Sequence, residues 1–309
     1  MTILIVIINV HSLLAQQDPL VTANNSNLIY YMPGSIGRLP YFVTNLLFRK
    51  QWGQLPETPT IQIGNIQTPF SFERMSAALQ FQQESYKDFN NKSIKIFYAY
   101  KIRFAKGKLV AGIEGGVSQY GYSLSNLLIR DEGDDLLSNA TFKIVPDVGL
   151  GVFYYDSNLE LGGSVKHVNN PRLDLNGPHS NLRTQYYAYG SRKFHLNHHY
   201  YGRPYTLLRY LNGQTLLADL LMEISLRDYL QISAGIRTQK HLVFQTNFNL
   251  NKLLNSSQLN YTLSYSFDFA YMSEINLSSN EIMLTIKYRK RPDPSRIKKR
   301  NKISSPLLF

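Results

Sequence analysis

Cysteine is absent from the 309-residue chain, and tryptophan occurs only once. A chain without thiols has no disulfide framework, no thiolate zinc site and no cysteine nucleophile. Other catalytic motifs are missing too: there is no glycine-rich phosphate loop, no nucleophile elbow and no metalloprotease helix. No segment of about 18 apolar residues exists, which excludes a transmembrane helix from the mature chain. We therefore expect a protein that is not an enzyme and binds no cofactor.

Acidic residues are fewer than basic ones, 21 against 33, which gives a net charge of +12. The excess is local, because residues 287–309 hold nine Lys or Arg and one Asp, or +8 of the total. A basic run at a chain end is more often a solvated or anion-binding tail than a reader of nucleic acid. We expect a basic C-terminal tail over residues 291–309 and no nucleic-acid partner.

The first 15 residues form an apolar run that ends at the small residue Ala15, before a polar stretch. This length and ending are typical of the apolar core of a secretory signal peptide, although no Lys or Arg precedes it. The alternative is a buried first strand. We predict a signal peptide over residues 1–15 and an exported mature chain whose main body spans residues 16–290.

Most of the remaining chain alternates between apolar and polar residues with a period of two. From Leu259 to Phe269, for example, odd positions are apolar or aromatic and even positions are polar. A strand sends successive side chains to opposite faces, so such a segment has one apolar and one polar face. The candidate strands are 38–50, 58–68, 74–84, 93–105, 108–121, 138–145, 147–156, 158–168, 182–194, 204–211, 214–226, 229–238, 241–251, 257–269 and 280–290.

The strands favour an antiparallel transmembrane β-barrel of about 14 strands over a soluble β-sandwich. Several reach the length of about 9–11 residues that a tilted membrane span needs, and the 22 tyrosines suit interfacial girdles. In hydrocarbon every backbone polar group must be paired internally, so an all-β chain has to close. Bacterial barrels favour even strand counts, so one weak candidate, 204–211 or 138–145, should be a loop or part of a longer strand.

Inward positions of such a barrel are small or charged. Glycine and serine residues on the polar faces would line water or a plug. We expect the inward charges to form an electrostatic lining of the lumen rather than a catalytic pair of carboxylates. These predicted lumen charges are Lys101, Arg103, Glu114, Asp219, Glu223, Arg237 and Asp268.

Residues 49–58 carry a family resemblance. Arg49-Lys50-Gln51-Trp52-Gly53 followed by Pro56-Glu57-Thr58 resembles the Arg-x-Gln-Trp…Pro-x-Thr pattern of PorP/SprF-type membrane proteins of the type IX secretion system. Later blocks, including Tyr98 to Ile102 and Leu263 to Asp268, are similar to the same family, and the resemblance extends nearly end to end.

The resemblance implies an outer-membrane barrel of Bacteroidota-like bacteria that takes part in type IX secretion or in the gliding machinery that depends on it. Its implied partners are secretion subunits, periplasmic or lipoprotein ring components and exported cargo with a C-terminal sorting domain. The implied contact residues are Arg49, Gln51, Trp52, Gly53, Pro56 and Thr58. Trp52 has two interpretations, an anchor at the membrane interface or a docking residue for a partner.

Two other functions stay open at this point. One is a general porin or hydrophobic-solute channel, which would conduct in a planar bilayer. The other is a soluble secreted β-sandwich that binds a ligand, which would dissolve without detergent.

Overall fold

The computed structural model describes residues 18–70, 74–122, 141–173, 181–197, 200–211, 216–238, 240–254, 258–271 and 277–288. The predicted signal peptide, residues 1–15, and the predicted tail, residues 291–309, lie outside this part of the chain. No helix in the described ranges is long and apolar enough to cross a membrane.

Antiparallel strands make up nearly the whole described chain. Three 3-10 helices (Leu28–Tyr30, Pro33–Gly37 and Arg227–Tyr229) and one four-residue α-helix (Asn251–Leu254) are the helical elements within it. The strands are β1 Phe42–Lys50, β2 Thr60–Phe70, β3 Met75–Tyr86, β4 Phe89–Arg103, β5 Lys108–Tyr122, β6 Thr141–Tyr155, β7 Leu159–Lys166, β8 Gln185–Arg192, β9 Phe194–His195, β10 Tyr200–Leu211, β11 Leu217–Leu226, β12 Leu230–Arg237, β13 His241–Asn249, β14 Leu259–Ala270 and β15 Ser278–Tyr288.

The sheet is closed. Strand β1 pairs with both β2 and β15, and β10 pairs with both β8 and β11, so each long strand has a neighbour on either side. The two-residue strand β9 only adds to one end of β10. The result is a barrel of 14 long strands with no free edge, which leaves no row of unpaired backbone groups for hydrocarbon to desolvate.

The predicted fold and strand count are confirmed. The weak candidate 138–145 joins 147–156 in the single strand β6. It is therefore part of a longer strand, which was one of the two outcomes expected for a weak candidate. The other weak candidate, 204–211, belongs to the regular strand β10.

Apolar side chains cover the outside of the barrel, and polar side chains face the lumen. Along β4 buried and exposed residues alternate, with Lys95 and Lys101 buried and Ile96 65% exposed. Phe142 and Ile144 of β6 are similarly exposed, at 63% and 58%. A soluble protein would bury such residues, whereas lipid solvates them. The distribution therefore predicts an outer surface that lies in a membrane.

The two ends of the barrel differ in their connections. At one end, here called the short-turn end, the strands are joined by 71–74, 104–107, 156–158, 193–199, 227–229 and 250–258. At the opposite, long-loop end they are joined by 51–59, 87–88, 123–140, 167–184, 212–216, 238–240 and 271–277. Strand β1 begins and β15 ends at the short-turn end, so the chain enters and leaves the wall there.

The lumen contains the segment that precedes β1. Residues 18–38, here called the N-terminal plug, run from the long-loop end, where Asp18 meets Lys166 and His167, to the short-turn end, where Arg38 meets Glu160. Most of its residues are buried, and Val21, Thr22, Asn24 and Met32 have no exposed surface. The predicted body 16–290 is therefore divided here between a plug and a wall.

Candidate functional site

The plug is fastened near the long-loop end by charged wall residues. The Glu281 carboxylate of β15 accepts the backbone N–H groups of Thr22 and Ala23, both at 2.8 Å. Arg49 of β1 donates to the Thr22 hydroxyl at 2.5 Å, and that hydroxyl donates to Asp268 at 2.8 Å. The carboxylates and the guanidinium thus satisfy plug groups that have no secondary-structure partner.

The same wall charges form a buried network, here called the charge clamp: Arg49, Arg209, Asp219, Arg237, Asp268 and Glu281. Asp219 binds Arg209 at 2.9 Å and Arg237 at 2.8 Å, and it accepts the Asn24 amide at 2.6 Å. Arg49 lies 2.7 Å from Asp268 and 3.5 Å from Glu281. Three guanidinium groups face three carboxylates, so loss of one partner would leave a buried charge uncompensated.

A second charge cluster holds the start of the plug. The Asp18 carboxylate lies 3.4 Å from the Lys166 ammonium and 3.2 Å from His167 Nε2, and His167 Nδ1 lies 2.8 Å from Asp147. Burial alone lowers the pKa of His167, but the Asp18 and Asp147 carboxylates outweigh it and raise the pKa to about 9. Burial likewise favours the neutral form of Asp18, but His167 and Lys166 prevail and hold its pKa below the usual range. Asp18 is therefore ionised next to a protonated histidine at neutral pH.

The middle of the plug is apolar. Leu28, Ile29, Tyr30, Tyr31, Met32 and Ile36 belong to one buried cluster with Phe97, Val110, Phe153, Tyr187, Tyr189 and Tyr205 of the wall. Wall glycines make room for the plug backbone. A Cβ on Gly112 would lie 2.5 Å from the Gly34 nitrogen and the Pro33 carbonyl carbon, and one on Gly162 would collide with the Met32 sulfur. Small residues were predicted to line water or a plug, and at these two positions they adjoin the plug.

The predicted lumen charges lie mostly where their alternation put them. Lys101, Glu114, Asp219, Glu223, Arg237 and Asp268 are buried. Glu114 contacts Lys95 at 3.1 Å, and Glu223 contacts Arg203 at 2.6 Å.

Arg103 differs from the other six, and its role as a lumen charge stays a prediction. Its position in β4 has the same parity as Lys101, but it is the last residue of the strand and its side chain is exposed at the short-turn end. Parity gives the face of a strand and not the depth along the barrel axis.

Several clamp and cluster residues were not singled out from the sequence. Lys95, Asp147, Lys166, Arg209 and Glu281 are charged residues in strands, each buried towards the lumen. The available signal was the same period-two alternation, because Lys95 shares the face of Lys101. The ion-pair partners of Lys95, however, can be identified only from the three-dimensional structure.

The family motif has two parts with different surroundings. Arg49 is 1% exposed and belongs to the charge clamp. Gln51, Trp52 and Gly53 begin the connection between β1 and β2 at the long-loop end, where the Gly53 N–H donates to the Ser278 carbonyl at 3.0 Å and Trp52 adopts a φ of 55°. Pro56 is exposed and Thr58 is half-buried in the same connection.

A polar cavity of about 440 Å³ lies between the plug and the short-turn end. Its wall includes Asp156 and Tyr229 of the turns and Lys287 near the end of β15. A much smaller cavity, of about 20 Å³, lies at the other side of the plug beside Asp18 and His167. The plug separates the two.

Two groups in the sequence have residue types that could bind a metal: His195, His198 and His199, and the acidic run 131–135. Neither has the spacing of a known metal site, so the sequence favours surface residues for both. His195 is exposed in β9, whereas His198, His199 and the acidic run 131–135 lie outside the described residues. Among the residues with described positions, no group of three or more His, Asp or Glu is arranged to hold a metal ion.

A closed barrel with an apolar exterior and a charged, filled lumen defines an outer-membrane β-barrel protein. The particular family follows from the sequence: residues 13–288 match the family described as type IX secretion system membrane protein PorP/SprF. The chain belongs to this family, and the family that the resemblance predicts is confirmed.

Solved structures of outer-membrane barrels are similar in fold. A deletion mutant of the monoaromatic hydrocarbon channel TodX is 10% identical, with a TM-score of 0.50, and the match covers 85% of this chain and 94% of that one. A Pseudomonas aeruginosa FadL homologue has 10% identity, a TM-score of 0.48 and coverages of 86% and 94%. Omp33 of Acinetobacter baumannii has 5% identity, a TM-score of 0.47 and coverages of 81% and 99%. A search of curated proteins finds no match.

Family and fold together place the protein in the outer membrane as a barrel associated with type IX secretion. Such a barrel is a structural or transport protein. Outer-membrane barrels have short periplasmic turns and longer extracellular loops. The short-turn end therefore faces the periplasm, and the long-loop end faces the cell exterior.

Proposed function

We propose that this protein acts in type IX secretion as a plugged barrel that binds partners, rather than as an open pore or an enzyme. The partners are secretion subunits, periplasmic or lipoprotein ring components, and exported cargo with a C-terminal sorting domain. The observation that carries the proposal is the plug itself. It fills the lumen between the two cavities, and it is fixed by the charge clamp at one end and by the Arg38–Glu160 pair at the other.

The porin alternative has less support. A general porin keeps a water-filled lumen, whereas Leu28, Tyr31 and Met32 pack into the centre of this one. The channel names of some similar structures describe those proteins, and identities of about 10% carry the fold only. The soluble β-sandwich is excluded by the closed sheet.

We divide the proposed contact residues by their surroundings. Arg49 positions the plug from inside the barrel. Trp52 and Pro56 lie in the first extracellular connection, and together with Gln51, Gly53 and Thr58 they form the proposed partner contact on the outer side. Residues 1–15 are the proposed signal peptide, and residues 291–309 are a proposed basic tail that begins on the periplasmic side.

Export and co-purification test the proposal together. A strain without the gene should fail to export a reporter cargo with a C-terminal sorting domain, and a tagged wild-type copy should restore export and co-purify secretion subunits. Trp52→Ala should weaken this co-purification, whereas Tyr86→Ala, an exposed aromatic change at the same end, should not. Normal export without the gene would refute the proposed function.

Deletion of residues 291–309 tests the tail separately. If the tail docks a partner, the truncated protein should still show heat-modifiable migration on a denaturing gel but should recover less of the secretion subunits. Unchanged co-purification would count against a docking tail.

A further inference from the structure

We infer that the 440 Å³ cavity at the periplasmic end is a binding site for an acidic polypeptide segment of a periplasmic partner. The inference rests on the proposed function and names the chemistry of the partner at one end of the barrel. It follows from the charges in the cavity, from those around its mouth, and from what can physically reach it.

Cations without an opposing carboxylate line the cavity. Arg38 and Arg203 also border it, but each is paired, with Glu160 at 3.0 Å and Glu223 at 2.6 Å. Within the described ranges, neither the Lys193 nor the Lys287 ammonium has a carboxylate at salt-bridge distance. The cavity thus has two positive charges for which the described wall supplies no salt bridge.

The surroundings of Lys193 make that charge costly to leave unpaired. Its ammonium lies 4.5 Å from the Tyr201 ring centroid, inside the mouth. Burial and the neighbouring Arg203 guanidinium lower the pKa of Lys193. A carboxylate beside the ammonium would counteract both effects by stabilising its charged form, so the site favours an anion.

The rim of the mouth has the same sign. Exposed cations on the strand ends and turns are Arg74, Arg103, Lys106, Lys108, Arg192 and Arg227. The acidic residues of the turns 71–74, 156–158 and 227–229 are Glu73, Asp156 and Asp228. A positive ring around a recessed site raises the local concentration of anionic partners and accelerates their association.

Access and size favour a polypeptide over other anions. Strands surround the cavity on all sides, so lipid headgroups outside the wall cannot enter it, whereas an extended segment can enter through the mouth. Its volume lies within the range of about 300–1,000 Å³ that holds a small ligand. Asn249, Gln231 and Tyr229 make the cavity wall polar. The chain's own tail, residues 291–309, is basic and would be repelled.

Binding of a labelled acidic peptide tests the inference directly. Fluorescein-labelled octaglutamate is titrated with the full-length barrel in detergent, followed by anisotropy. We expect saturable binding that weakens as salt is raised, because the charges are screened. The double charge reversal Lys193→Glu/Lys287→Glu should weaken binding at least about tenfold. The matched control Lys50→Glu/Lys240→Glu, at the extracellular end, changes the net charge equally and should shift binding less than about twofold.

Each other outcome overturns the inference. No saturable binding, or an equal loss in both double variants, would mean that no peptide site exists in this cavity. Capture by phosphatidylglycerol vesicles in preference to the peptide would indicate a lipid surface instead. If the charge reversal does not give a heat-modifiable barrel, Lys193→Gln/Lys287→Gln replaces it, with a smaller loss expected and no loss contradicting the inference.

Measurements in cells distinguish a failure of the periplasmic site from a failure of the secretion role. With the proposed function correct, loss of the gene blocks cargo export. If export then survives in the Lys193→Glu/Lys287→Glu strain with full recovery of secretion subunits, the periplasmic site is wrong and the secretion role stands. Normal export in the gene deletion would remove the secretion role itself.

Discussion

At the scale of single residues, the lumen contains buried guanidinium and carboxylate groups, which are tolerated because each is paired with a group of opposite charge. Arg49 connects the barrel wall to the plug, because its guanidinium contacts the wall carboxylates Asp268 and Glu281 as well as the plug hydroxyl of Thr22. In this chain Arg49, the first residue of the family motif, holds the first strand and the plug to the last two strands.

Replacement of Arg49 should be severe. Arg49→Met keeps most of the volume but removes the Arg49 guanidinium from the buried carboxylates Asp268 and Glu281, which costs about 3–5 kcal/mol in the free energy of unfolding. Arg49→Lys should lose less, because it retains the charge but not the planar pair of contacts. Urea unfolding followed by gel migration measures the difference. The neighbouring Lys50→Met is the control: Lys50 is exposed, so little change is expected. Equal stability of Arg49→Met and Lys50→Met would contradict the clamp.

His167 should make the plug sensitive to alkaline pH. Its pKa is raised from 6.5 in the unfolded chain to about 9 in the folded one, so its contribution to stability is complete below about 6.5 and is lost as pH rises through 9. We expect the unfolding temperature of the wild type to fall more between pH 7 and pH 10 than that of His167→Gln. Parallel curves for the two proteins would show that the histidine does not hold Asp18.

At the scale of elements, the plug fits because strand β5 has a glycine, without a side chain, where the plug backbone contacts the wall. A Cβ at Gly112 would strike the Pro33–Gly34 backbone, whereas a Cβ at Gly115, on the same strand, has nothing within 4 Å. These two glycines provide a matched pair that separates plug contact from any general effect on β5.

Gly112→Ala should therefore dislodge the plug, and Gly115→Ala should not. The chain contains no cysteine, so Ala23→Cys introduces a single thiol into a plug position that is 1% exposed and lines neither cavity. Its labelling by a polar maleimide should be several-fold faster in the Gly112→Ala background than in the Gly115→Ala background. Equal labelling rates would mean that this contact does not fix the plug.

The strands could be predicted from the sequence and the plug could not. Period-two alternation placed 257–269 almost on β14, because lipid and lumen impose opposite polarities on successive residues. The sequence analysis divided β6 into two candidate strands at Pro146, because a proline normally ends a central strand, whereas the structure has one continuous strand.

The plug is invisible to such reasoning. Thr22, Asn24 and Asn25 have the composition of an exposed loop, and what buries them is distant in sequence: the Thr22 N–H donates to Glu281, 259 residues away. Arg103 shows the same limit, since its alternation with Ile102 gives no sign that it lies exposed at the end of β4. Alternation reports a local environment, whereas the site depends on closure of the whole sheet.

At the scale of the whole molecule, the barrel presents one apolar surface to lipid and two dissimilar ends to water. The extracellular end carries the motif connection with Trp52, and the periplasmic end carries a cationic mouth above a cavity. The plug spans the space between them and joins the wall at β1. A ligand in the periplasmic cavity would therefore contact the plug, which is also anchored at the extracellular end.

Conductance in a planar bilayer tests most directly whether the lumen is closed by residues 18–38. We predict that the purified wild-type barrel gives no steady conductance, and that a variant lacking residues 18–37, shown to be folded by heat-modifiable migration, forms steady pores. A wild-type protein that conducts as well as the deletion variant would contradict the account.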